Sequence, residues 1–167
     1  MKTKSLVGPD YAAFLTELKG RIVSARLHAA RAVNRDLILL YWDIGRGIVE
    51  RQETLGWGES VVEMLAKDLQ KAFPGMRGFS KANLWAMRRF YLEYGRDPIL
   101  QQLAEEIPWG HHLLLVDKVK NPAARLYSLR ATPQLGWSRN VLLNQIKGGA
   151  YERAVMEKID MREGVAA

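Results

Sequence analysis

The sequence predicts an all-α protein: a long N-terminal helix, or two helices in line, followed by helix–turn–helix units. Three observations predict it. Apolar residues recur at every third or fourth position through most of the 167 residues. No segment alternates apolar and polar residues for long, and no Asn-Gly or Asp-Gly hairpin turn occurs. Finally, Trp57-Gly58, Phe79-Ser80, Trp109-Gly110 and Trp137-Ser138 each place an aromatic before a small residue at the start of a helical pattern.

The first helix is expected to open with Asp10 as N-cap after Gly8-Pro9. From there Phe14, Leu18, Ile22, Ala25, Ala29, Val33, Leu37, Leu40, Ile44 and Ile48 step by three or four. The spacing predicts helices over 10–33 and 35–54, continuous or broken near Asn34, with Gly45 and Gly47 weakening the last turns. Later helices must cover the stripe, or a second copy must. Further helices are expected over 59–73, 80–94, 98–106, 110–119, 122–135 and 138–148. If the small residues are N-caps, the aromatics stand at N′. Val62, Leu84, Leu114 and Leu142 then stand at N4, the arrangement of a hydrophobic staple. That makes the aromatics structural rather than base-stacking. Pro122 suits the first position of its helix, and Pro133 should end or kink it. The expected organisation is a flexible 1–9, a helical domain over 10–150, and a tail over 151–167.

Composition narrows the function. Cysteine is absent, which excludes disulfides and thiolate metal sites. No apolar run approaches the ~20 residues of a membrane span, and the N-terminus lacks a signal peptide's apolar region. The expectation is a cytoplasmic protein with no membrane partner. The net charge of +7 is unevenly spread. Residues 1–35, 67–96 and 111–153 are each +5, whereas 36–66 is −4 and 97–110 is −3. Clustered positive charge favours a polyanion, because phosphate contacts release counterions.

The most informative stretch is Phe73 to Tyr91. A helix ends at Pro74-Gly75, a short turn follows, and a basic helix opens on Ser80. A helix, a tight turn and a basic helix form the arrangement that presents a helix to the major groove. Arg77 lies on the turn, and Lys81, Asn83, Arg88 and Arg89 on the helix. Asn can read adenine and Arg guanine, and either can hold phosphate. A second such unit follows, with Arg139, Asn140, Asn144 and Lys147 as the polar face of its last helix. These residues can contact bases or merely bridge neighbouring helices. His111 and His112 are adjacent, so they point about 100° apart on a helix and cannot easily share a metal. Packing or capping is their expected role. Glu17-Leu18-Lys19 and Gln145-Ile146-Lys147 match the ExK and QxK strings of metal-dependent nucleases. They lie in helical patterns, with no strand to carry a partner Asp. No Ser/His/Asp array, phosphate-binding loop or dinucleotide fingerprint occurs.

Five segments carry a family resemblance: Leu39 to Gly45, Ser60 to Leu69, Gly78 to Leu84, Pro108 to Leu115 and Gly136 to Leu142. Over about residues 20–150 the chain resembles the N-terminal domain of the YhcG family, bacterial proteins of the PD-(D/E)xK nuclease superfamily. The resemblance implies an all-helical module that precedes a C-terminal nuclease domain, where catalysis resides. No catalytic residue, metal or cofactor is then expected in this chain. Family members commonly carry Ser where this chain has Gly110, which is expected to weaken that cap.

Two functional readings remain. The first is a non-catalytic, nucleic-acid-binding module, with DNA as the expected partner. It accompanies a nuclease domain in cis or in trans, and Arg77, Lys81, Asn83, Arg88, Arg89, Arg139 and Asn140 are the contacts. About six neutralised phosphates would give log K a slope of roughly −5 against log salt. The alternative is a protein–protein module in which the long helix pairs with another copy as a homodimer.

Overall fold

Gly45 sets where the two central helices of the protein meet. The computed structural model describes residues 9–95 and 97–166. Eight helices run through them in chain order: α1 (Pro9–Leu55), α2 (Glu59–Ala72), α3 (Lys81–Tyr94), α4 (Pro98–Ala104), α5 (Trp109–Lys118), α6 (Pro122–Leu135), α7 (Arg139–Lys147) and α8 (Ala150–Ala166). No strand occurs among the described residues. A Cβ placed on Gly45 would overlap the Met87 carbonyl oxygen and lie 2.7 Å from its carbon. The backbones of α1 and α3 therefore approach more closely than any larger residue allows. The sequence expects Gly45 and Gly47 to weaken the last turns of α1, which stays helical to Leu55. Helix continues through both, because the α3 contact outweighs glycine's cost of about 1 kcal/mol.

α1 is one helix, with no break at Asn34. The Asn34 side chain donates from Nδ2 to the carbonyls of Glu105 and Ile107, both at 3.2 Å. Arg35 adds an ion pair to Glu106 at 3.3 Å. Here α1 joins the body of the protein. From Ile38 onward it buries Ile38, Tyr41, Trp42, Ile48 and Val49. N-terminal to Asn34, every side chain the structure describes is exposed. Asp10, expected as N-cap, lies inside α1, which is already helical at Pro9.

The core has two parts. Tyr41, Ile48, Val62, Ala66, Leu84 and Met87 join α1, α2 and α3. Ile38, Trp42, Phe90, Tyr94, Ile107, Leu115, Leu129 and Leu142 join α1 and α3 to the C-terminal helices. Trp109 packs against both parts. Its ring meets Tyr41 and Phe90 edge-on, with centroids 4.9 and 5.3 Å away. α3 is thus the central helix, with Leu84, Met87, Phe90 and Tyr94 fully buried.

Beyond α1, the aromatic-led helix starts follow the expected devices except at α5. Gly58, Ser80 and Ser138 are N-caps, and both serines accept a backbone N–H of the first turn. α5 begins one residue early, with Pro108 as N-cap and Trp109 as first helical residue. Gly110 is therefore no cap, and having Gly in place of the family's Ser does not weaken one. A Cβ there would lie 3.4 Å from Arg139 Cδ, so Gly110 sits beneath the Arg139 stem. α6 continues through Pro133 to Leu135, where Gly136, in the left-handed conformation, closes it and turns the chain toward α7. The missing Pro133 N–H falls in the last turn.

Arg125 of α6 is buried, 3% exposed. It pairs with Glu93 of α3 at 2.7 Å, donates to the Val119 carbonyl at 2.6 Å and lies over the Tyr94 ring. No helix of the described residues is long and apolar enough to cross a membrane.

Candidate nucleic-acid interface

The seven expected contact residues fall into two groups: those engaged with the protein itself and those open to solvent. Asn83 is the most engaged. Ser80 caps α3 and fixes its first turn, which sets Asn83 between the Gly78 loop and the start of α5. The Asn83 side chain donates to the Gly78 carbonyl at 2.6 Å and accepts the Trp109 indole N–H at 2.8 Å. Both ends of its amide are committed, so Asn83 ties turn, α3 and α5 together. Asn83→Ala is expected to cost about 2 kcal/mol of stability, because the Trp109 N–H and the Gly78 carbonyl lose their partner. A urea midpoint equal to the wild type's would show that these bonds contribute nothing.

Lys81 reaches back to α2. Its ammonium pairs with Glu59 at 2.8 Å and with Glu63. The Glu59 bond and then the Glu63 bond hold its pKa above the ordinary lysine value, and Lys81 holds the Glu63 carboxyl below its own. Arg88 donates to Gln52 at 2.5 Å and lies over the Trp85 ring. Arg89 is exposed and donates to the Val116 carbonyl at 3.3 Å. Arg77, on the turn, is exposed. The α3 contacts of the first unit are thus partly spent on α1, α2 and α5.

The second unit differs. α7 buries Leu142 and half-buries Leu143 and Ile146. Arg139, Asn140, Asn144 and Lys147 are all exposed. At 3.6 residues per turn, Asn140, Asn144 and Lys147 share one side, and Arg139 flanks them over Gly110. Neither Arg139 nor Lys147 forms an ion pair with a described carboxylate.

The two histidines are structural in geometry. The His111 ring nitrogen Nε2 lies 2.8 Å from the Trp137 carbonyl, and that of His112 lies 2.8 Å from the Ala104 carbonyl. They face different elements. Among the described residues, no group of three His, Cys, Asp or Glu side chains is placed to hold a metal ion. Glu17-Leu18-Lys19 and Gln145-Ile146-Lys147 lie in α1 and α7, on helices rather than strands.

Residues 17–153 match the family described as the DUF1016 N-terminal domain. The chain belongs to this family. A curated relative, "Putative nuclease YhcG" of Escherichia coli (strain K12), is 30% identical to it. The likeness covers 80% of this chain and 44% of the relative, so the chain spans less than half of that protein's length. No solved structure matches the chain. The five motifs that suggested the family all lie within the matched residues. Four of them build the core described above: Trp42 on α1, Val62 and Ala66 on α2, the Gly78–Asn83 turn, and the Trp109–His112 start of α5. The fifth, Gly136 to Leu142, forms the turn into α7. Family membership thus rests chiefly on residues that make the scaffold, whereas Arg77 and the outer side of α7 beyond Leu142 lie outside those segments.

Proposed function

We propose that this chain is a non-catalytic, nucleic-acid-binding module that accompanies a nuclease domain, with DNA as its polymer and α7 as its principal contact. The observation that carries the reading is the outer side of α7: two cations without ion-pair partners beside two primary amides, on a helix whose opposite side is anchored by Leu142. Cations without carboxylate partners keep the full counterion-release contribution toward phosphate. Amides can add base-edge hydrogen bonds. Arg77 and Arg89 supplement α7, whereas Lys81 and Asn83 serve the scaffold first. The YhcG relative, named as a nuclease, supports the association with nucleic-acid cleavage.

Fluorescence anisotropy on a short duplex tests the reading. Charge reversal at two positions, R139E with K147E, is expected to weaken binding at least tenfold and to flatten the salt slope by about 2. Lys81→Gln is expected to change affinity far less. Equal affinity and slope for R139E/K147E and wild type would remove α7 from the contact surface. Duplex cleavage by the pure chain with Mg²⁺ or Mn²⁺ would overturn the non-catalytic assignment.

A further inference from the structure

The end of α5 and the helices α6, α7 and α8 enclose a pocket of about 240 Å³. It is smaller than the roughly 300–1,000 Å³ of sites that take drug-sized molecules, so it suits one small planar group. One wall is aromatic. Tyr127 of α6 stands between Trp137 and Tyr151, with ring centroids 6.4 and 5.8 Å away and planes tilted by 59° and 56°. Rings this close leave no slot between them, so a planar group lies against the wall rather than inside it. Trp137 is held in place. It follows the left-handed Gly136, and its carbonyl lies 2.8 Å from the His111 ring nitrogen.

The opposite lining is polar. Ser128 of α6 is only 5% exposed, and Gln145 of α7 is half-buried. Both line the pocket, and neither side chain hydrogen-bonds to a described residue. Buried polar groups are nearly always paired, so an unpaired hydroxyl beside an unpaired amide marks a place where a ligand supplies the partners. Lys118 and Lys120 also line the pocket, and both are exposed. Lys120 donates to the uncharged Val116 carbonyl at 3.0 Å, and Lys118 lies 3.6 Å from Asp117. Glu152 is the one carboxylate in the lining.

We infer that this pocket receives one unpaired nucleobase. The inference rests on the nucleic-acid reading above and names the form of strand the module takes. Each part of the lining has its counterpart in a nucleotide. The base offers a π-face to the aromatic wall. Its edge carries donors and acceptors for Ser128 and Gln145. Its phosphate is the natural partner of the two lysines. Glu152, which can only accept, favours a base with an exocyclic amine, adenine or cytosine. A site sized for one base cannot admit a base pair, so the nucleotide comes from a single-stranded tail or leaves the stack. α7 serves both surfaces: Asn140, Asn144 and Lys147 face outward, while Gln145 and Ile146 line the pocket. A strand held on the outer side lies only the ~10 Å width of that helix from the pocket.

Fluorescence anisotropy on three labelled DNAs tests the inference: a blunt duplex, the same duplex with a short adenine tail, and one whose tail consists of abasic sites. The abasic tail keeps the phosphates and loses the bases. The adenine tail is expected to bind about tenfold tighter than either of the others. Gln145→Ala removes the amide and Ser128→Leu fills the pocket, and each should erase this preference. Gln145 is half-buried at the surface, so its variant keeps the test in force even if Ser128→Leu melts early. R139E/K147E should weaken binding to all three DNAs and preserve the ratio between them. Equal wild-type affinity for the three DNAs, or a preference that survives Gln145→Ala, would overturn the base pocket and leave α7 as a contact. Failure to bind any of the three would instead overturn the nucleic-acid reading beneath it.

Discussion

Gly45→Ala is expected to lower the melting temperature by roughly 10 °C, although alanine is the better helix former. In an exposed helix interior the substitution would add about 1 kcal/mol of stability. At Gly45 the new methyl would overlap the Met87 carbonyl, with the Met87 carbonyl carbon at 2.7 Å and the Arg88 nitrogen at 3.2 Å. These are backbone atoms of a buried helix and cannot rotate aside. α1 and α3 must separate, loosening Tyr41, Trp42, Leu84, Met87 and Phe90, which are all buried around the crossing. Overpacking of this kind costs 1–3 kcal/mol and occasionally more. A net loss near 3 kcal/mol corresponds to roughly 6–12 °C for a chain of this size. Gly20 supplies the contrast, since a Cβ there meets nothing within 4 Å. Gly20→Ala should raise the midpoint slightly. If both variants melt with the wild type, the crossing is wider than described.

Acid is expected to destabilise the fold between about pH 6.5 and 4, largely through His112. Complete burial in the core pushes its pKa down from 6.5 to about 4; the neighbouring His111 adds to this, and the bond to the Ala104 carbonyl opposes it. The folded protein therefore keeps this imidazole neutral while the unfolded chain protonates it near pH 6.5. Above that value neither state binds the proton and the stability is intact. As pH falls through the window the unfolded state gains protons first, and stability drops until the native site titrates near pH 4. The full swing is on the order of 3 kcal/mol. Urea denaturation at a series of pH values reads it directly. His112→Gln, which does not titrate, is expected to be less stable at pH 7 and to lose most of the pH dependence in this window. A wild-type stability that stays flat from pH 7 to 5 would exclude a buried neutral histidine.

Local chemistry was legible in the sequence, and long-range partnership was not. Ser80 and Ser138 cap their helices as expected, because a hydroxyl followed by an apolar period is a signal contained within four residues. Family membership was equally legible, since its motifs are contiguous strings. The α5 cap moved back two residues because Pro108, with its fixed φ, took the place that the Trp-Gly pattern assigned to Gly110. The choice between one helix and a break near Asn34 was not legible for a tertiary reason: the carbonyls that hold its side chain lie more than seventy positions later. The same limit governs the candidate interface. Asn83 looks like a base reader until Trp109, 26 residues on, is found donating to it. Lys81 counts as a cation in the sequence, yet two carboxylates from α2 surround it. Arg125 gave no signal at all, because its position in α6 differs from an exposed arginine only through Glu93 and Val119. The α7 residues kept their sequence-level character, since nothing distant folds over them.

The unbroken run of α1 also makes it a lever. Its fulcrum is where Asn34 grips the body, and Pro9 lies about 37 Å away along the axis, at ~1.5 Å per residue. A tilt of only about 10° at that fulcrum would swing the far tip through roughly 6 Å. An event that pulls on residues 9–33 therefore reaches α3 as torque, with the travel outside reduced to a smaller displacement beside Met87.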